Sequence, residues 1–315
     1  MTGVQTWPSD LSEKDMIQTY VPMMNVALSG SLEGGLTPGV TMFAGPSKHF
    51  KTAFSLLLAK SYLEKYEDAV LLFYDSEFGT PISYFDTFEI DKERVLHTPL
   101  TDIEQLKFDL MAQLTNLERG EKLIIIIDSI GNLASKKEVE DALDQKAVAD
   151  MTRAKQVKSL FRMITPHLTL KDIPLVVVNH TYKEIGMFPK DIVGGGTGSY
   201  YSADNIFIIG RQQEKEGTEI VGYNFIINVE KSRYVKEKSK IPVTVSFEGG
   251  INKFSGLLEV AIEGGFVVKP SNGWYSKVDL ETGEVLKEKV RIADTQNAKF
   301  WTSILESDKF KQYIK

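Results

Sequence analysis

The sequence predicts an α/β fold: a mostly parallel, twisted sheet flanked by helices, with a short N-terminal arm before it and a small C-terminal α+β appendage after it. Three observations predict it. Five short runs, Val40–Ala44, Ala69–Tyr74, Leu123–Ile127, Pro174–Val178 and Asn205–Ile209, are apolar almost throughout and rich in β-branched residues. Strands buried on both faces of a parallel sheet have that composition. Helix-length segments separate them, at Thr52–Tyr66, Ile103–Arg119 and roughly Lys146–Leu168. After about residue 215 the alternation stops, and Tyr223–Val229 and Pro242–Phe247 flank a charged link. That pair reads as two strands extending the sheet in the antiparallel sense.

Taken in order, residues 1–28 read as an arm, 29–255 as the core and 256–315 as the appendage. The appendage offers a helix at Leu257–Gly264, a hairpin turning at Gly283 and an amphipathic end at Lys299–Ile314. Two segments read as loops. Ser135–Gln145 is charged and follows a strand directly. His180–Ser202 is a stretch of roughly 20 residues that carries Gly194-Gly195-Gly196-Thr197-Gly198, and a loop of that length inside a compact domain is functional or disordered.

Composition narrows the functional classes. The 315 residues contain no cysteine, which excludes disulfides, thiolate metal sites and cysteine nucleophiles. Lys and Arg number 37 against 43 Asp and Glu, a net charge of −6, so attraction of the whole surface to nucleic acid is excluded and any such binding rests on local basic patches. The start, Met1-Thr-Gly-Val-Gln-Thr-Trp-Pro8, lacks the basic and apolar regions of a secretory signal, and no apolar run is long enough to span a bilayer. A cytoplasmic protein is expected.

The strand Val40–Ala44 leads into Gly45-Pro46-Ser47-Lys48-His49-Phe50-Lys51-Thr52, and a helix follows. Backbone N–H groups of such a loop, together with the helix N-terminus, point at phosphates. Lys51 reaches the β- and γ-phosphates, and the Thr52 hydroxyl coordinates Mg²⁺. Phe50 departs from the pattern, because glycine ordinarily stands before the lysine and permits φ > 0 there. Asp128 ends the run Leu-Ile-Ile-Ile-Ile-Asp, where a carboxylate supports Mg²⁺ through water. Glu77, in Phe73-Tyr-Asp-Ser-Glu77, lies at another strand end, the edge at which open α/β sheets bind ligands. It is placed to orient and deprotonate water, with Asp75 as a competitor for the role. His180 closes Val-Val-Val-Asn179-His180 where a strand meets the glycine-rich segment, as a phosphate sensor or as an ordinary strand-end histidine. Residues 230–240 carry five basic and two acidic side chains, either a solvated face or an interface.

In this order these pieces resemble the RecA family, and within it the UvsX-type recombinases of T-even-like bacteriophages. The resemblance runs from about residue 11 to 310. It rests on Pro22-Met-Met-Asn-Val-Ala-Leu-Ser-Gly30, the loop GPSKHFKT with its phenylalanine, Phe73-Tyr-Asp-Ser-Glu-Phe-Gly79, Ile127-Asp-Ser-Ile-Gly-Asn-Leu-Ala-Ser-Lys-Lys-Glu138, Met151-Thr-Arg-Ala-Lys155, Asn179-His-Thr-Tyr182, Gly194–Gly198, Asn228-Val-Glu-Lys-Ser-Arg233 and Gly273-Trp-Tyr275. It implies a RecA-like core and a DNA-dependent ATPase that forms filaments on single-stranded DNA and exchanges strands with a homologous duplex, using ATP and Mg²⁺. It also implies phage mediator and single-strand-binding proteins as partners in an infected bacterial cell. By resemblance Gly45–Thr52 and Asp128 bind ATP, Glu77 is the catalytic carboxylate, Tyr84 stacks on adenine and His180 senses the γ-phosphate. Lys231 and Arg233 match the pair that reaches the neighbouring subunit's ATP. The DNA contacts it implies are Ser135, Lys136, Lys137, Lys146, Arg153, Tyr182, Lys183, Lys190, Gly194, Gly195, Gly196, Thr197 and Gly198. Compared with the phage relatives the arm is expected to be shorter and the acidic C-terminal tail absent. Two alternatives stand beside this reading: a ring-shaped ATPase or helicase of the same superfamily, and a nucleotide-gated DNA-binding adaptor with weak hydrolysis.

Overall fold

The computed structural model describes residues 15–118, 120–144, 151–185, 190–216, 218–246 and 250–315. These form two compact units that interleave along the chain. One contains residues 36–209 and 229–233, and the other residues 18–35, 210–228 and 234–315. The first element, α1 (Pro22–Ser29), belongs to the second unit and starts with proline, whose missing N–H costs nothing at a helix N-terminus. Its buried Asn25 accepts from the Thr19 N–H at 2.8 Å and from the Thr19 hydroxyl at 2.9 Å.

In the first unit, β1 (Gly39–Ala44) leads through the Gly45–Phe50 loop into α2 (Lys51–Lys65). There follow β2 (Val70–Asp75), α3 (Ile82–Thr87), β3 (Val95–Pro99), α4 (Ile103–Asn116) and β4 (Leu123–Asp128). After α5 (Lys136–Leu143) and α6 (Thr152–Leu170) comes β5 (Pro174–Asn179). Then come a ribbon of β6 (Thr181–Lys183) and β7 (Asp191–Val193), the short helix α7 (Thr197–Ser202) and β8 (Asn205–Glu216), of which residues 205–209 belong to this unit. All ladders among the main strands are parallel, in the order β8-β1-β5-β4-β2-β3. Every residue of β1, β4 and β5 is buried, as their unbroken apolar runs require of strands covered on both faces. Register sets Ala44 opposite Asn179 and Asp75 opposite Asp128, so the carboxyl ends of β1, β5, β4 and β2 form one edge.

The structure corrects two expected loops. Ser135–Gln145 contains α5: the Ser135 hydroxyl accepts from the Glu138 N–H at 3.0 Å and the Glu138 carboxylate accepts from the Ser135 N–H, a reciprocal cap that starts a helix none of whose residues is buried. His180–Ser202 is no structureless loop in its described part, since β6 pairs with β7 (Tyr182 opposite Ile192) and α7 follows. Gly198 in α7 is buried against α6, where an added Cβ would lie 2.6 Å from the Lys158 Cα. Gly198→Ala is therefore expected to destabilise the protein by about 1–3 kcal/mol through overpacking, read as a lower thermal midpoint.

In the second unit β9 (Glu219–Lys231, of which 219–228 belong here), β10 (Lys240–Ser246) and β11 (Gly250–Ile251) are antiparallel, with Asn228 opposite Lys240. The alternating burial of β9 and β10 marks one covered face. Beyond them lie α8 (Leu257–Glu263), a small sheet of β12 (Val267–Ser271), β13 (Trp274–Lys277) and β14 (Val290–Arg291), and the helices α9 (Ala298–Leu305) and α10 (Asp308–Ile314). Its core includes Phe310, edge-on to Phe266 at 4.9 Å, and Trp301, whose indole N–H donates to the Thr295 carbonyl at 2.6 Å. Among the described residues no helix is long and apolar enough to cross a membrane.

Candidate active site

The loop after β1 is shaped by backbone conformation. Gly45 lies so close to β8 that an added Cβ would sit 3.1 Å from the Ile209 carbonyl oxygen. Lys48 and Phe50 adopt φ of 59° and 62°, left-handed conformations ordinarily left to glycine. Phe50 thus takes the backbone angle that the position demands, and its ring lies edge-on to Phe54 at 5.5 Å, 80°. An aromatic pair of this kind offsets part of the left-handed cost, which is about 1–2 kcal/mol. Lys51 is 6% exposed and donates to the Pro46 carbonyl at 2.7 Å. Burial lowers the pKa of its ammonium, while Glu77 and Asp128 act to raise it.

Asp128, 2% exposed at the end of β4, accepts from the Thr52 hydroxyl at 2.5 Å through Oδ2. Its Oδ1 is buried without a hydrogen-bond partner among the described residues. Burial pushes the carboxyl up to about 6; the Thr52 hydroxyl opposes this, Glu77 and Asp75 add to it, and Lys51 opposes it. An orphaned carboxylate oxygen beside a helix-N-terminal hydroxyl fits a hydrated divalent cation. The described residues hold no group of three or more acidic or histidine side chains that could cage a metal alone. Such a cation would therefore draw its remaining ligands from phosphates and water.

Asp75 and Glu77 differ in burial and bonding. Asp75 is 2% exposed, and its Oδ1 accepts from the Glu77 and Phe78 N–H groups at 3.0 and 2.8 Å. It is therefore a turn-former. Glu77 projects further out, and its Oε1 accepts from the Ser129 hydroxyl at 2.8 Å and lies 2.7 Å from His180 Nε2. The hydrogen bond from His180 holds the Glu77 carboxyl below the usual range, burial opposes it, and Ser129 and Lys51 add to the lowering. Lys51, Thr52, Asp128, Glu77 and His180 are thereby brought to one sheet edge.

His180 is tied to the glycine-rich segment through the backbone. The Gly194 N–H donates to the His180 carbonyl at 2.9 Å, and the buried Asn179 amide donates to the Gly194 carbonyl at 2.8 Å while accepting from the His180 N–H. In that segment Tyr182 is 57% exposed, Lys183 pairs with Asp191 at 2.8 Å, and Lys190, Gly196 and Thr197 are exposed, with Gly194 and Gly195 half-buried. Lys136 and Lys137 are exposed on α5. Three of the residues expected at DNA are engaged within the chain. Ser135 is buried and caps α5. The Arg153 guanidinium donates to the carbonyls of Leu133, Ile130 and Gly131 at 2.7–3.1 Å, bracing the turn after β4. Gly198 packs on α6. Lys146 lies outside the described residues. Tyr84 is 44% exposed on α3.

Lys231 and Arg233 stand elsewhere. Arg233 Nε donates to Asp204 Oδ1 at 2.6 Å, and Asp204 Oδ2 accepts from the Val40 N–H at 3.1 Å, at the start of β1. The phosphate loop follows the end of β1, about 15 Å away at roughly 3.3 Å per residue. Lys231 Nζ donates to the Tyr200 and Tyr201 carbonyls at 2.9 and 3.2 Å. These two cations therefore sit toward the sheet edge opposite their own chain's phosphate loop.

Residues 11–252 match the family described as the RecA N-terminal domain, and residues 254–314 match the C-terminal domain of the bacteriophage T4 recombination and repair protein. The chain belongs to the RecA family. It is 52% identical to the recombination and repair protein of Enterobacteria phage T4 over all of its own length and 82% of that protein. It is 25% identical to the RecA proteins of Tropheryma whipplei (strain Twist) and Salinispora arenicola (strain CNS-205), covering 84% and 89% of this chain and 60% and 80% of theirs. As a RecA-family recombinase the chain is a DNA-dependent ATPase in recombination and repair; it binds nucleotide and DNA and assembles with itself.

Sequence reading missed several parts of this RecA-family site. The Ser129 hydroxyl donates to Glu77, and Ser76 Oγ bonds both the N–H and the carbonyl of Ser129 at 3.0 and 2.6 Å. Gly131 is required because a Cβ there would meet His180 Cδ2 at 2.9 Å. The serines gave no signal of their own; their position directly after two strand-end aspartates was the only cue.

Proposed function

We propose that the chain polymerises on single-stranded DNA with ATP bound, pairs that strand with a homologous duplex, and turns over by hydrolysis at subunit junctions. The observation that carries the proposal is the joining, at one sheet edge, of the phosphate loop, Glu77 and His180, with the His180 backbone bonded to Gly194 of the glycine-rich segment.

Lys51 and the loop N–H groups hold the phosphates, Thr52 and Asp128 support Mg²⁺, and Tyr84 stacks on the base. Mg²⁺ supplies charge neutralisation of the phosphate oxygens. Glu77, held ionised by His180 and Ser129, orients the attacking water and accepts its proton. Lys51 stabilises the charge developing on the phosphoryl oxygens. A γ-phosphate competes with Glu77 for the His180 Nε2 proton, and the His180–Gly194 bond passes that change to the DNA segment. Lys231 and Arg233 are turned away from their own nucleotide, which supports their acting on a neighbour's. DNA is held by Lys136, Lys137, Tyr182, Lys183, Lys190 and the Gly194–Thr197 backbone. Phosphate contacts with bases stacked on Tyr182 give binding that is tolerant of sequence and sensitive to salt. Mediator and single-strand-binding proteins are its expected partners.

The test is ATP hydrolysis with and without single-stranded DNA across salt concentrations, with imaging of the same samples. The expected result is stimulation that falls with salt, together with helical filaments. Closed rings, or equal turnover without DNA, would overturn the reading.

A pH dependence follows from Asp128. The folded carboxyl keeps its proton up to about pH 6, against an ordinary value of 3.8. The group therefore favours the nucleotide-free fold at low pH, and that contribution is lost as pH rises through this window. A cation using the same carboxylate competes with the proton. The Mg²⁺ concentration needed for half-maximal ATP binding should rise by about tenfold per pH unit below 6 and be flat above it. Asp128→Asn should remove the dependence.

A further inference from the structure

Glu77 stands on a tight turn held from below. Its N–H and that of Phe78 both donate to Asp75 Oδ1, and Phe78 adopts φ 54°. The other oxygen of this buried carboxylate, Oδ2, lies 3.1 Å from His97 Nε2. His97 comes from the neighbouring strand β3, in register with Phe73. Its ring is edge-on to Phe73 at 5.4 Å, 77°, and tilted against Phe85 at 6.3 Å, 59°. Phe85 is the buried residue of α3, the helix that presents Tyr84. One imidazole therefore touches both the carboxylate beneath the Glu77 turn and the ring beneath the tyrosine helix.

We propose that His97 is a positioning residue for ATP hydrolysis: its N–H holds Asp75, and through it the Glu77 turn, while its ring holds α3 and Tyr84. The physical basis is the cost of an unmet buried acceptor. Asp75 Oδ2 deprived of the imidazole takes another partner, water or one of the turn N–H groups, and the turn shifts with it. A displacement of about 1 Å at a catalytic group costs up to about 10²-fold in rate. The two contacts are separable because one needs a donor and the other a ring. His97 lies outside the site itself and meets neither phosphate loop nor metal ligands in the contacts above. The inference rests on Glu77 being the catalytic carboxylate.

The test compares His97→Phe, His97→Gln and Glu77→Gln in full-chain protein with saturating single-stranded DNA, with a thermal melt of each. His97→Phe keeps a ring and loses the donor, so kcat is expected to fall by about tenfold or more while KM for ATP stays within about twofold. His97→Gln sets an amide N–H near the imidazole Nε2 position and loses the ring. It is expected to restore most of kcat and to raise KM by about threefold or more, as α3 loses its support. This opposed split is not produced by loss of stability alone. The inference is overturned if His97→Phe keeps kcat within about twofold of the parent, or if both variants lose activity in step with their melting points. Should His97→Phe fail to fold, His97→Gln decides: retained kcat with raised KM supports the inference, and an unchanged KM overturns it. Full activity in Glu77→Gln would sink the underlying reading. An inactive Glu77→Gln beside unaffected His97 variants would sink the positioning role alone.

Discussion

Lys51→Ala is expected to abolish DNA-stimulated ATP hydrolysis, a loss of about 10³-fold or more. The side chain is nearly buried at the N-terminus of α2, with its ammonium on the Pro46 carbonyl, Glu77 and Asp128 being the acids that act on it. Burial already disfavours the charged form, so the ammonium is kept for its ligand at the expense of the empty fold. The variant should therefore melt no lower than the parent while losing turnover. The measurement is steady-state hydrolysis with DNA, paired with a thermal melt. Retained hydrolysis would sink the assignment of the phosphate loop.

Glu77→Gln should separate chemistry from binding. The amide keeps the size of the side chain but cannot take a proton, and hydrolysis is expected to fall by about 10²–10³-fold. Thr52, Lys51 and Asp128 are untouched, so ATP binding should remain within a few-fold of the parent. Filaments on single-stranded DNA should last longer, because the ATP-bound form is no longer consumed. Single-turnover hydrolysis and DNA-release kinetics give the two readings. A loss of ATP affinity matching the loss of rate would instead make Glu77 a ligand-positioning group. The hydrogen bonds from His180 and Ser129 to Oε1 make the parent carboxylate a defined acceptor, and the amide rearranges them.

Much of the architecture was legible because burial on two faces imposes an unmistakable composition. β1, β4 and β5 read directly as strands for that reason. β3 did not, since Val95-Leu-His-Thr-Pro99 lies at the sheet's edge, half-exposed, and is free to be polar. α5 was hidden for a related reason: Lys136–Leu143 buries no residue, and its few apolar side chains, Val139, Ala142 and Leu143, stand among charged ones, although Ser135 and Glu138 at cap spacing were in plain view. In the site, the strand-end acids were legible by position. Which basic residues were already committed was not. Arg153 and Lys137 look alike in sequence, yet one is spent on three backbone carbonyls and the other pairs with Asp141 one turn along an exposed helix. Local sequence cannot distinguish them, because the carbonyls that claim Arg153 lie about 20 residues earlier in the chain.

The placement of Lys231 and Arg233 toward the far edge from their own phosphate loop has a consequence for counting. Under the role proposed above for Lys231 and Arg233, every hydrolysis centre needs a cation pair from the next subunit, and an open chain of subunits then holds one fewer working centre than it has members. A lone subunit is silent, a pair works at half its nominal capacity, and output per subunit approaches a plateau only as the ends become a small fraction of the whole. Specific activity then reports polymer length, and an agent that severs filaments lowers turnover without touching any centre.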